Sequence, residues 1–310
     1  MEKAQTRPAP SHKRQDSLWK RLKRSTLGIF LIAPILFVAI FVLYPLAQDF
    51  ALSLTNWGGF TPPSTAPYIG LTNFRILLTA DPVFITALEN NVIWVLIFLV
   101  ANNAAGLALA GTIDMMKKRV GQFFRIVIYL SVILPSVVVA YLFLALYDPN
   151  IGLIDSALKT IGLAALAKTE WLGNPHLTLY SILFSSIWQY AGFPMLIFLA
   201  AFSSISPSLY EAAKIDGATE WSIFWKVKVP MIRPVIIMVL ALTYIWNSMP
   251  FAQVWTMTQG GPGHASEVLV TYLYREAFSG FQFGYAAAIS VILFLLIFPV
   301  VVIFVRSFEK

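Results

Sequence analysis

Leu209–Pro234 reads LYEAAKIDGATEWSIFWKVKVPMIRP, and its interpretation decides the fold. It lies between two long uncharged runs, Leu177–Tyr210 and Pro234–Gly263. The stretch itself carries Glu211, Lys214, Asp216, Glu220, Lys226, Lys228 and Arg233. A polar island of that size between two apolar runs long enough to cross a bilayer has to leave the hydrocarbon. Its pattern is richer than a hairpin's. Glu211-Ala212-Ala213 opens a helix-favouring segment, Gly217 interrupts it, and Trp221, Phe224 and Trp225 recur at helical spacing. Pro230 and Pro234 then set the entry to the next run. The stretch is expected to be helix, turn, helix, an element shaped to dock on something.

The rest of the chain agrees with a membrane setting. Of 310 residues, 58% are hydrophobic and only 12% charged, about half the charge of ordinary soluble domains. There is no cysteine, which excludes disulfides, Cys-ligated zinc and thiol catalysis. The three histidines, His12, His176 and His264, are far apart and stand in no metal-ligand spacing, so no metal site is expected.

Six spans are expected: Leu27–Leu46, Asn91–Gly111, Ile126–Tyr147, Thr178–Phe202, Val235–Trp255 and Gly284–Val305. The first follows a basic tail, residues 1–26. It is too long for a signal-peptide core and no small-residue cleavage site follows, so it is read as an uncleaved span. Pro34, Pro135, Pro194, Pro250 and Pro299 inside the runs read as kinks and not as breaks. With the N-terminus cytoplasmic, Lys and Arg divide 18 inside to 4 outside among the 22 present. That bias puts both termini (residues 307–310 at the C-terminal end) and the polar island on the cytoplasmic side. It accounts for the net charge of +7 without a nucleic-acid partner.

Absences narrow the function. The sequence holds no Walker-type phosphate loop, no HExxH and no GxSxG, so the chain is expected to be no enzyme and to carry no cofactor. No span holds an Asp, Glu, Lys, Arg or His, which argues against a proton-coupled pump. Energy for uphill transport would have to enter from another polypeptide, through a cytoplasmic surface. Uncharged polar and aromatic residues recur at depth instead: Asn102, Asn103, Ser185, Ser186, Gln189, Tyr190, Tyr244, Trp246, Asn247 and Ser248. Each is expected to face the bundle interior, because an unpaired amide in hydrocarbon is costly. For any one of them, simple interhelical hydrogen bonding is the plainer reading. Together, amides, hydroxyls and flat rings suit a neutral polyhydroxylated ligand.

Glu211-Ala212-Ala213-x-x-Asp216-Gly217-Ala218, then Phe224, then Val229-Pro230 and Pro234, resembles the EAA loop of bacterial ABC importer permeases, in the form found in carbohydrate importers. Val229 stands where leucine is usual. Tyr44-Pro45 with Leu52-Ser53-Leu54-Thr55-Asn56-Trp57 resembles the end of the first span in sugar permeases. Thr258-Gln259-Gly260-Gly261-Pro262, Glu267 and Tyr272–Phe278 resemble a loop of the MalF/UgpA/LacF-type partner. The resemblance implies an all-α integral membrane protein with six transmembrane helices, the type I ABC importer permease fold and a cytoplasmic coupling helix, in the bacterial inner membrane. It implies a second, MalG-like permease as heterodimer partner, two ATPase subunits that hold ATP and Mg, and an extracytoplasmic sugar-binding protein. Glu211, Ala212, Ala213, Asp216, Gly217, Ala218, Phe224 and Pro230 would form the ATPase-coupling element, with Trp221, Phe224 and Trp225 anchoring it to the permease or its partner. Ser186, Gln189, Tyr190, Phe193, Trp246, Asn247 and Pro250 would line a sugar pocket. A glycerol-3-phosphate-type substrate, or a stand-alone ion-coupled carrier or membrane enzyme, are the competing readings.

Overall fold

The computed structural model describes residues 30–163 and 169–308. The basic tail, the first residues of the first expected span and the last two residues lie outside that range. The chain divides into two units, one ending at Ala51 and one beginning at Leu52. The described part of the first is helix α1, Phe30–Leu52, apart from that helix's last residue, and it holds a π-turn at Ala39–Leu43.

The second unit holds α2 (Thr72–Thr79), α3 (Pro82–Asp114), α4 (Lys118–Ile133), α5 (Ser136–Leu146), α6 (Leu153–Thr160), α7 (Thr178–Ser203) and α8 (Pro207–Ile215). It continues with α9 (Glu220–Met231), α10 (Arg233–Asn247), α11 (Phe251–Met257), α12 (Leu269–Phe278) and α13 (Phe283–Phe308). Among the described residues the only strand-type pairing is the isolated bridge Thr55–Tyr68. Four helices, α1, α3, α7 and α13, are long and apolar enough to cross a membrane. The bent pairs α4–α5 and α9–α10 would bring the number to six.

The second unit is built along α3. Asp81 caps its start, accepting the Phe84 N–H at 3.0 Å, and Pro82 takes the first turn, where its missing N–H costs nothing. No proline follows, so the helix runs unbroken for 33 residues, well past both ends of the expected Asn91–Gly111. Each of the three cores includes α3 side chains. Phe84 and Ala87 pack with Leu77, Leu269 and Ile289. Trp94 and Phe98 pack with Val139, Phe143, Ile182 and Val254. Ala110 and Ile113 pack with Met195, Phe198, Phe202 and Phe224.

Two of the expected spans are not single helices. Pro135 does more than kink Ile126–Tyr147: Leu134 is extended (φ −65°, ψ 137°) and the axis turns by 101° between α4 and α5. The ring of Pro135 disfavours helical backbone at Leu134. The carbonyl this frees is not orphaned, because Gln189 Nε2 donates to Leu134 O at 2.8 Å. Val235–Trp255 is likewise split. The 15-residue α10 stops at Asn247, Ser248–Pro250 interrupts, and α11 restarts at Phe251. Pro194 and Pro299 lie inside helices without breaking them.

A capped helical turn and a neutral aromatic pocket

The polar island folds as helix, turn, helix. Helix α8 ends in a Schellman motif: the Ala218 N–H donates to Ala213 O at 2.9 Å and the Gly217 N–H to Lys214 O at 3.0 Å. The motif needs a left-handed residue after the helix, and Gly217 has φ +78°. A Cβ at Gly217 would meet no atom within 4 Å, so the backbone alone demands glycine there. Thus the spacing of Ala213, Gly217 and Ala218 is the spacing of a helix stop. Thr219 then starts α9, its Oγ1 accepting the Ser222 N–H at 3.2 Å. Across the turn Lys214 and Glu220 pair at 2.8 Å on the surface. The hydrogen bond from Lys214 holds the Glu220 carboxyl below its usual range. Glu211, Ala212, Asp216 and Pro230 are exposed, and Ile215 is 86% exposed.

Of the three aromatic residues expected to anchor this element, only Phe224 enters the chain's own core. It is 3% exposed, edge-on to Phe202 at 5.9 Å, and seated against Gly111, where a Cβ would fall 2.5 Å from its ring. Trp221 and Trp225 stay exposed beside a groove of about 330 Å³ floored by Ala104, Leu107, Ala108 and Met115. A turn beyond Phe224, Lys228 is buried and forms an ion pair with Asp114, the last residue of α3. Its ammonium also lies 5.0 Å from the Tyr210 ring centroid. Burial, and then the charge of Asp114, raise the Tyr210 phenol.

The two helix breaks meet to make a pocket. Helix α11 packs on α5 and α7, and a cavity of about 270 Å³ opens beside it. Ser136, Tyr190, Trp246, Asn247, Met249, Pro250, Phe251, Ala252 and Gln253 line it. Tyr190 Oη and Ser136 Oγ are 2.8 Å apart. Trp246, expected to face inward, is 61% exposed and leans on Phe193 with ring centroids 4.9 Å apart. Of the expected pocket residues, Tyr190, Trp246, Asn247 and Pro250 therefore meet, with Phe193 behind Trp246. Gln189 sits behind the wall, bridging Leu134 O and Gln253, whose Nε2 donates to Gln189 Oε1 at 2.7 Å. Ser186 is buried outside the lining, and its Oγ has no partner among the described residues. Ser136, Met249, Phe251, Ala252 and Gln253 were missed by sequence reasoning. Treating the Pro135 and Pro250 motifs as breaks would have found them. The lining carries no charge; it offers amides, hydroxyls and ring faces, groups that suit hydroxyls and the apolar faces of a sugar.

At the Asp81 end of α3 a second unforeseen cluster forms. Asp81 Oδ2 accepts from the hydroxyls of Tyr272 and Tyr285, each at 2.5 Å. Burial works against the charged carboxyl, but these phenols and the Phe84 and Val83 N–H groups outweigh it and hold the group below its usual range. Nearby, Glu267 is fully buried against His264 (2.9 Å) and Arg275 (3.1 Å). Asn90 donates to the Ala265 and Glu267 carbonyls, each at 2.9 Å, tying the 258–267 loop to α3.

The architecture is thus a set of helices packed along α3, with a polar helix-turn-helix at one end. The family described as "Binding-protein-dependent transport system inner membrane component" matches residues 102–310, and the chain belongs to it. It is 36% identical over 269 residues to the "Probable ABC transporter permease protein YurN" of Bacillus subtilis, covering 86% of this chain and 90% of that one. It is 31% identical over 281 residues to the "Multiple sugar-binding transport system permease protein MsmF" of Streptococcus mutans (91% and 94% covered). Among solved structures it is similar to a chain of a bacterial alginate ABC transporter in complex with alginate pentasaccharide-bound periplasmic protein. There the TM-score is 0.77 at 26% identity, with 93% and 95% of the chains covered.

Proposed function

We propose that this chain is one of two permease subunits of an ATP-driven importer, and that it moves a neutral mono- or oligosaccharide or glycoside delivered by an extracytoplasmic binding protein. In this reading six spans cross the inner membrane with both termini cytoplasmic. ATP and Mg reside on two separate ATPase subunits, and a second, MalG-like permease completes the path. The observation that carries the reading is the α8–α9 element. A helix stopped by a glycine-dependent cap presents Glu211, Ala212 and Ile215 outward, while Phe224 and Lys228 root its second helix in the bundle. That is the construction expected of a surface that receives motion from a partner. The neutral pocket lining supports a saccharide over a phosphorylated polyol, which would call for a cation near the ligand.

The test is uptake by membrane vesicles carrying the whole transporter. Gly217→Val is expected to abolish ATP-driven uptake while the chain still inserts, because a β-branched residue is strained at φ +78°. Trp246→Ala is expected to raise the apparent KM about tenfold, the worth of one stacked ring. Uptake that continues after ATP depletion with ion gradients intact would sink the reading.

A further inference from the structure

Gly111 and Asp114 lie three residues apart on α3, on one face near its end, and Phe224 and Lys228 lie four apart in α9. Phe224 fills the space over Gly111, and Lys228 pairs with Asp114. The two helices thus mesh at two points a turn apart, one apolar and one ionic. The ionic point is demanding. A carboxylate as the last residue of a helix sits at the negative end of the helix dipole, where its charge is unfavourable. The Lys228 side chain is only 8% exposed, a place where an ammonium needs a countercharge. Each charge answers the other's problem. Of the other groups at this point, Tyr210, Lys214 and Glu220 line the same cavity of about 390 Å³, Lys214 and Glu220 being paired with each other. Tyr210 Oη donates to Phe202 O at 3.1 Å, joining α8 to α7. From Asp114, α3 continues unbroken for 33 residues to Asp81, about 50 Å of helix. There Tyr272 and Tyr285 tie it to α12 and α13.

We infer that Lys228 and Asp114 are positioning residues for energy coupling: their ion pair locks the α8–α9 element to α3, so that a displacement of the element is delivered along that helix. This rests on the coupling role proposed above. Without the pair, the element keeps its outward face and the Phe224 contact, but it slips against α3 and the stroke is lost between the two.

The experiment uses the chain co-produced with its partner permease and ATPase, reconstituted in proteoliposomes with the binding protein, with uptake and ATP hydrolysis measured on the same vesicles. K228M is expected to keep hydrolysing ATP while transport per ATP falls about tenfold, the scale of a coupling-network change. K228R is expected to keep the wild-type ratio. The charge-swapped D114K/K228D variant is expected to transport better than D114N or K228M alone, because each new charge again has its opposite. A ratio unchanged in K228M, with uptake and hydrolysis falling together, would overturn the inference. So would a swapped variant no better than the worse single one. ATPase retention on affinity-purified chain separates the two levels. If the unsubstituted chain retains no ATPase, the coupling role itself fails, and the inference with it. If ATPase is retained and the ratio does not move, only the Lys228–Asp114 assignment fails.

Discussion

The two ends of α3 carry the same residue type in opposite circumstances. Asp81 stands at the N-terminus, where the helix dipole and the free N–H groups welcome a negative charge, and neutral donors satisfy it: backbone N–H groups and two phenols. Asp114 stands at the C-terminus, where the dipole is of the wrong sign, and it takes a full cation, Lys228, drawn in from a distant part of the chain. The difference teaches that the helix decides what kind of partner a carboxylate must find. A charge placed with the dipole can be held by hydroxyls, whereas a charge placed against it recruits an opposite charge, and with it the element carrying that charge.

The comparison can be broken at its costlier end first. D114N leaves the buried ammonium of Lys228 without a countercharge and is expected to destabilise the chain by about 3 kcal/mol. K228M should cost less, because the Asp114 side chain is 28% exposed and can hydrate. Thermal unfolding in detergent would check the order, and equal losses would show that burial does not govern the pair. Next, D81A removes the acceptor for the cap and for both phenols, at about 2 kcal/mol. Its pH signature has a definite sign. The folded carboxyl is held below its usual range, so its contribution is complete above the ordinary aspartate pKa of about 3.9 and is lost as the pH falls through the lower folded value. D81N, which keeps a cap, should lack that loss on acidification. Smallest is Y285F, about 1 kcal/mol, since Tyr272 still donates to Asp81. A loss as large as that of D81A would mean that the two phenols act as one unit.

How far the sequence could be read depended on whether a signal was local. The α8–α9 element was legible because its signals are near neighbours: a helix opened by Glu211-Ala212-Ala213, interrupted at Gly217, and aromatic residues at helical spacing beyond it. Which of Trp221, Phe224 and Trp225 enters this chain's own core was less legible, because helical spacing groups the three without saying which ring the bundle has room for. Gly111 made that choice, from a different helix. The pocket was read in part. Tyr190, Trp246, Asn247 and Pro250, assigned to it by the family resemblance, do line one cavity. Gln189 was assigned to it for the same reason, yet it spends its amide on Leu134 O and Gln253. Pro135 and Pro250 were seen, but whether a proline kinks or breaks a helix depends on what accepts the freed backbone groups, and those partners lie on other helices.

By itself, then, the sequence determined that the chain belongs in a membrane, where its apolar runs lie, and that one polar island is a stopped helix and a second start. Those follow from transfer free energy, backbone sterics and capping, all of which act over a few residues. Only the tertiary structure decided which amides serve the backbone and which face a cavity, which ring enters the core, and that Asp114 and Lys228 meet across more than a hundred residues. The physical reason is that burial in a bundle leaves each polar group no water to fall back on. Its partner must come from whatever helix lies beside it, and adjacency between helices is not written in any short stretch of chain.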